Sequence, residues 1–284
     1  MALEQLKPEI WSAQLLRRLN DVLVFRNVCT TEFDQEISKF GDVIKINEVG
    51  TIDVNDYTAT STGALTIQSL RDAQKLLTID RAKYTAFWID QEDKAQAKPD
   101  VLNAAREQAA WSLGNEVDEY VASLYGQAGI TVGGTITTGV DITSTNILKY
   151  FSLIAQKHDE ANTPNVGRWV IVPPWMAHKL ILSKIALDTA NSGVLGQGKL
   201  GNYYGFDIYV SNNVYHAATA ARGAVLSGYK GSIALATQVL LTQGMNTVTI
   251  GFKYLVKSLL VYGAKVIRPN NLGVLWSTYV AEAS

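Results

Sequence analysis

The strongest constraint on this chain is a pair of β-rich runs in its first third that are too long to shelter one another. Residues 43–57, VIKINEVGTIDVNDY, alternate: Ile44, Ile46, Ile52 and Val54 share one parity, Lys45, Asn47, Asp53 and Asn55 the other. That is the period of a strand with one apolar face. Thr58 to Gly63 is a polar turn region. A second run follows, with Leu65 and Ile67 at its start, Leu77 and Ile79 further on, then Phe87 and Ile89. The pattern predicts a two-stranded ribbon of about 15 residues per arm, roughly 50 Å long and well beyond the usual strand. A lone ribbon is marginal in water because nothing covers its apolar side. Residues 43–89 must therefore lie on something, either an ordinary sheet of the same domain or, as an arm, another subunit.

The ribbon is followed by one long helix. Between Pro99 and Tyr125, residues Leu102, Ala109, Leu113, Val117, Tyr120 and Leu124 fall on one face at helical spacings. Pro99 suits a first turn, Asp100 adds negative charge there, and Gly126 follows as a stop. Trp111 lies about half a turn from the apolar stripe, beside Glu107, Gly114 and Asp118. It either caps a loop of its own chain or marks a rod gripped from two sides. Asp90, Glu92 and Asp93 lack the glycine and spacing of a calcium loop and read as an acidic lead into the helix.

An apolar content of 47% with 18% charge in 284 residues supports a sizeable core, in one large domain or two smaller ones. The net charge of −1 argues against a protein that coats DNA electrostatically. It is unevenly spread: residues 1–166 carry 15 basic and 23 acidic side chains, residues 167–284 carry 10 and 3. The halves either neutralise each other within one fold or draw neighbouring copies together. The single Cys29 excludes an internal disulfide framework. No signal peptide or membrane-length apolar run is expected.

Elsewhere, Pro8 to Asn20 predicts an amphipathic helix through Trp11, Leu15 and Leu19, packed on its own domain or on a neighbour. Residues 126–146 read as a Gly/Thr-rich loop with one edge strand, and Ser144 or Thr145 as the cap of a helix carrying Ile147, Phe151 and Ile154. Then come a buried strand Arg168–Val172, a helix from Trp175 to about Leu187, a glycine-rich loop Ser192–Gly201 and strands at Phe206–Val210 and Ala224–Leu226. Ser232–Gln238 reads as helical. The last 40 residues read as strands: Val248–Ile250, Tyr254–Val261, Lys265–Ile267 and Val274–Trp276.

No constellation for catalysis, cofactor or metal emerges. Gly193–Lys199 fits G-x4-G-K, but Leu200 stands where magnesium needs a hydroxyl. Gly196, Gly198 and Gly201 fit G-x-G-x-x-G, but in the order helix, loop, strand, so no helix N-terminus meets a phosphate. His158, His178 and His216 lack metal spacing and read as helix-end or surface residues.

The order of these pieces (arm, ribbon, long helix, mixed α/β part, closing strands) resembles the major capsid proteins of tailed double-stranded DNA bacteriophages, the HK97-like α+β shell fold. The stretches that carry the likeness are KPEIWSAQLLRRLN (Lys7–Asn20), GDVIKINEVGTIDVNDYT (Gly41–Thr58), ANTPNVGRWVIVPPWMAHKL (Ala161–Leu180), GFDIYVSNNV (Gly205–Val214), GSIALATQ (Gly231–Gln238) and YGAKVIRP (Tyr262–Pro269). The resemblance implies an N-terminal arm over 1–42 and an extended β-hairpin loop over 43–90. It implies a spine helix with peripheral-domain strands over 91–139, an axial domain over 140–245 and closing peripheral strands over 246–284.

It also implies a self-assembling structural protein with no active site, forming hexamers and pentamers of an icosahedral shell in the virion. The shell would enclose dsDNA without sequence-specific contacts. A portal and a separate scaffolding protein are partners the resemblance implies, with no scaffolding segment of its own expected in the chain; no membrane is involved, and assembly is expected in the host cytoplasm. One branch of the family forms Lys–Asn isopeptide bonds. Lys75 lies in the loop, but no matching Asn or Glu can be placed, so no crosslink is expected. Contacts between subunits are expected at Trp11 of the arm and at Ile52, Val54, Tyr57, Leu65, Ile67 and Lys75 of the loop. Trp111 of the spine and Gly196 and Lys199 of the glycine-rich loop complete the set. Rival readings are an encapsulin-like compartment shell, a soluble α/β phosphate-binding enzyme and a filament-forming structural subunit.

Overall fold

The computed structural model describes residues 23–34, 39–49, 72–90, 100–183, 199–216, 222–247 and 253–281. A short helix α1 (Val24–Val28) leads to strands β1 (Val43–Val49), β2 (Asp72–Thr78) and β3 (Arg81–Asp90), then to the long helix α2 (Asp100–Ala122). Short strands β4 (Ile130–Val132) and β5 (Val140–Ile142) precede helix α3 (Ile147–Glu160), strand β6 (Arg168–Val172) and helix α4 (Pro174–Leu182). The remainder is strand: β7 (Lys199–Tyr203), β8 (Phe206–Val210), β9 (Tyr215–His216), β10 (Arg222–Tyr229), β11 (Ile233–Thr247), β12 (Lys253–Val266) and β13 (Leu272–Tyr279).

Among the described residues these strands form three sheets. The largest runs β4-β13-β10-β6-β8-β7, with β5 also on β13 and β9 on β10. Its strands alternate between two cores, as strand geometry requires. Trp169, Ile171, Ala224, Leu226, Val274 and Trp276 face the core that α1 and α2 enter. Val170, Val172, Val225 and Leu275 face Phe151 and Ile154 of α3 and Met176 and Leu180 of α4. The second sheet, β11-β12-β3, presents Ile233, Leu235, Leu260 and Tyr262 to the first core. The third is the antiparallel pair β1-β2, whose Ile44, Ile46 and Leu77, with Ile79, pack on Ala234, Ala236 and Val261 of the second sheet.

The α+β class and the long helix agree with expectation. Helix α2 covers 23 residues and then tightens into a 3-10 turn over Ser123–Gln127. Ala109, Leu113, Val117 and Leu124 are buried as the wheel requires. On the opposite side Asp118 is 2% exposed and Trp111 50% exposed, so a second element grips the rod at Asp118 and not at Trp111. That side is gripped by the chain's own α1.

The ribbon departs more. Its described base pairs Val43–Val49 with Asp72–Thr78, seven residues an arm, and then the second arm stops. Ile79 is bonded through its backbone to Gly41 and Asp42, and β3 leaves to pair with β12 in a different sheet. The single arm expected to run to residue 89 is thus two strands in two sheets. The reason is local: at Gly263 of β12 a Cβ would lie 2.4 Å from the Thr78 carbonyl oxygen. The base crosses the sheet there, backbone nearly on backbone.

Ser232–Gln238 is not helical: from Ile233 on it is strand. Ala234 and Ala236 lie under the ribbon base while Ile233 and Leu235 face the first core, so both faces are buried and no polar alternation marks a strand. Tyr254–Val261 and Lys265–Ile267 merge into β12, which ends at Val266. Residues 126–146 hold two short strands rather than one, both parallel to β13. Helix α3 is preceded by Asn146, not capped by Ser144 or Thr145: Asn146 Oδ1 accepts from the Thr143 amide at 2.8 Å, and its Nδ2 donates to the Asp141 carbonyl. Helix α4 ends at Leu182 rather than near Leu187. Strand membership also cuts across the expected 140–245 block, since β11 belongs with β12 and β3, while β13 lies inside the largest sheet.

Candidate functional site: an open sheet face

Helix α2 covers one side of the three-stranded sheet. Lys83 pairs with Glu116 at 2.6 Å. The Arg81 guanidinium lies 5.1 Å over the Tyr120 ring, and Tyr120 meets Tyr262 edge to face. Burial keeps both phenols neutral, pushing Tyr262 up to about 12.

Among the described residues, the other side is covered at one end. Val261, under the ribbon base, is fully buried. Along β12 beyond it, Leu259, Lys257 and Leu255 are half-buried. Their register partners on β3 are Tyr84, Ala86 and Trp88, of which Tyr84 is 76% and Trp88 56% exposed. On β11 the partner positions are Leu241, Gln243 and Met245. The register of β11 on β12 shifts between Val239 and Leu241. The outer face of the ribbon base is mixed, with Val43 and Leu76 about half exposed among the exposed Lys45, Gln74 and Thr78, and Phe40 half exposed just before β1. Such an arrangement binds by area and shape, since aromatic rings beside aliphatic ones at a sheet surface are what interfaces enrich. Among the described residues no cluster of metal-ligating side chains occurs, and no helix is long and apolar enough to cross a membrane.

The contact residues expected from sequence are scattered relative to this face. Trp11, Ile52, Val54, Tyr57, Leu65, Ile67 and Gly196 lie outside the described residues. Lys199 opens β7. Trp111 is exposed on α2. Lys75 sits in β2 opposite Ile46, and its Nζ donates to the Ile267 carbonyl of its own chain.

Sequence reasoning missed several buried polar groups that hold this framework. His158, expected at a helix end or on the surface, is at a helix end but wholly buried, with Nδ1 3.2 Å from Thr163 Oγ1 and Nε2 3.0 Å from Ser227 Oγ. Burial, helped by nearby Arg168, holds it down at about 4, so it is a neutral ring. Arg168 is buried, donates to the Thr163 and Pro164 carbonyls and pairs with Asp159 at 2.7 Å. That pair joins the acidic and basic halves of the chain; Arg26–Asp34, Lys83–Glu116 and Lys157–Glu160 lie within the acidic half. Lys179 is buried and donates to the Ile142 and Val280 carbonyls at 2.6 and 2.5 Å, between the Trp175 and Tyr279 rings. A lone Lys inside the apolar run WMAHKLIL was the only available signal.

Comparison with known proteins gives a consistent picture. A family model described as "Phage capsid protein" matches residues 75–274. A solved chain from Mycobacterium phage Che8 is 25% identical, with a TM-score of 0.69, over 89% of this chain and 90% of that one. The capsid structure of cyanophage P-SCSP1u shares 18% identity at a TM-score of 0.68, covering 91% and 89%. A virus-like particle from Pyrococcus furiosus shares 13% identity at a TM-score of 0.60, covering 94% and 98%, a likeness of fold alone. A search of curated proteins found no match.

Proposed function

We propose, for a chain that belongs to the phage capsid protein family, that the open face of its three-stranded sheet is where neighbouring copies join in the shell. The protein is a major capsid protein: its role is structural, its fold is HK97-like and its place is the virion. The observation that carries the proposed surface is the step in exposure along one sheet side, from fully buried Val261 under the ribbon base to Tyr84 at 76% and Trp88 at 56%. Covering those two rings would remove roughly 250 Å² from water, about 6 kcal/mol before the cost of association. Summed over many copies, modest contacts of this kind suffice for a closed shell.

In this proposal the copies form hexamers and pentamers around packaged dsDNA, held without sequence-specific contacts, as near-neutral net charge favours. A portal and a separate scaffolding protein take part, and assembly proceeds in the host cytoplasm. The ribbon, the arm with Trp11, the spine with Trp111 and the loop with Gly196 and Lys199 supply further contacts. The largest sheet with α3 and α4 is the axial part; α2 with the β11-β12-β3 sheet is the peripheral part. Negative-stain microscopy of the purified chain tests this: closed hollow particles are expected, disrupted by the double variant Tyr84→Ser, Trp88→Ser. Particles formed equally well by that variant would remove the sheet face from the interface. Wild-type protein that stays monomeric at high concentration, with and without a co-expressed scaffold, would remove the shell itself.

A further inference from the structure

Residues 23–34 form a strap held chiefly on β11 and on α2, with Phe33 packed against the ribbon-base cluster and Thr30 Oγ1 donating to the Lys230 carbonyl. On the β11 side, Thr30 bridges to Ala234, with its amide on the Ile233 carbonyl and its carbonyl taking the Leu235 amide. Asp34 Oδ1 accepts from the Thr237 amide at 2.9 Å, and Arg26 spans Asp34 and Thr237 Oγ1. On the helix side, Leu23, Phe25, Val28 and Cys29 are buried in the first core. There the two oxygens of Asp118 on α2 receive the amides of Val24 and Phe25, at 3.0 and 3.2 Å, the first two of α1.

We propose that docking of this strap on α2 is coupled to uptake of one proton by the Asp118 carboxyl, so that the strap is held tightest in mild acid and loosens toward neutral pH. Two effects oppose each other at this group. Two backbone amides and a helix N-terminus favour the anion. Against them, the strap itself seals the carboxyl from water, leaving it 2% exposed, and an unpaired buried anion is costly.

The charges nearby do not rescue the anion. From the strap, the Cys29 thiol faces Asp118 and is pushed up by burial, so it stays neutral, and Arg26 is committed to Asp34 and Thr237. On α2 itself, Glu116 is paired with Lys83, and Glu119 accepts from Asn115. The β3 and β12 groups that meet α2 are engaged elsewhere on it: Arg81 lies over Tyr120, Lys83 is paired with Glu116, and Tyr262 is edge to face with Tyr120. No cation is paired with Asp118 among the described residues. Burial therefore wins, and the carboxyl moves up from 3.8 to about 7.

The sign follows from linkage. A carboxyl raised on docking favours the docked state fully below its free value, and that advantage is lost as pH rises to its docked value. Above about 7 both states are ionised and the dependence ends.

Native-state hydrogen exchange on the full chain between pH 5 and 8, corrected for intrinsic base catalysis, reads this directly. The opening constant of peptides covering Val24–Val28 should rise about tenfold per pH unit up to about 7 and then level off. In Asp118→Asn, which keeps an acceptor but has no proton to lose, it should be flat. If that variant does not fold, Asp118→Ser takes its place. An opening constant that is flat or falls with pH in the wild-type chain, or one that keeps its slope in a folded variant, overturns the proposal.

Discussion

The two larger sheets of this protein are built from the same kinds of residue and end in opposite states. The eight-stranded sheet is covered on both sides, by α3 and α4 on one and by α1 and α2 on the other. Three buried ionisable groups packed with it are partnered within the subunit: His158 on Thr163 and Ser227, Arg168 on Asp159, Lys179 on two carbonyls. The three-stranded sheet is covered on one side by α2; on the other, among the described residues, the ribbon base covers one end, and beyond it Tyr84 is 76% and Trp88 56% exposed. Among the described residues, the first is sheltered on both faces and the second on one face and part of the other. A shell protein needs both, since one part must hold its shape while the other leaves apolar area for a neighbour.

The sharpest way to break this comparison is at the crossing point. Gly263→Val would drive a side chain into the Thr78 carbonyl and lift the ribbon base. A loss of about 3 kcal/mol is expected in the denaturant midpoint. A loss under about 0.5 kcal/mol would mean that the base is not seated on this sheet.

Acid should attack the closed sheet first. His158 is held at about 4, against an ordinary 6.5. Because the folded ring binds its proton less readily, its contribution is complete above about 6.5 and is lost as pH falls toward 4. The expected loss is about 3 kcal/mol. The urea midpoint of the wild-type chain relative to His158→Gln should fall across that range, because global unfolding also frees the strap and its opposite dependence is common to both chains. The direction is opposite to that of the strap, so one pH series separates the two regions: toward acid the strap tightens while the sheet beneath weakens.

A smaller effect is expected at Lys179→Met, which leaves the Ile142 and Val280 carbonyls without their cation. About 2 kcal/mol should be lost in thermal or denaturant unfolding, with no change in the concentration needed for assembly beyond what stability explains. Smallest for the isolated subunit is the double variant Tyr84→Ser, Trp88→Ser. Its unfolding midpoint should shift by less than about 0.5 kcal/mol. The concentration at which particles appear by light scattering should nevertheless rise at least about tenfold, as more than 1.4 kcal/mol is lost from the contact. An unfolding loss as large as that at Gly263 would make these rings part of the subunit's own core.

What the sequence determined by itself was the set of elements with a clean period. Leu113, Val117 and Leu124 fixed the spine, and Arg168–Val172 and Phe206–Val210 were readable as strands to the residue, because one burial environment repeats along each. It also showed that the stretch after Val43 could not stand alone. Only the tertiary structure decided where cover is found. Ala234 and Ala236 look helical until the ribbon base is laid across them, and Asp118 looks like one more surface acid until α1 closes over it. Tyr84 and Trp88 carry no mark of exposure, since an aromatic residue in a strand has the same local pattern whether or not a second layer arrives. Periodicity reports which way a side chain points, but burial depends on partners far away in the chain, and those are chosen only when the sheets meet.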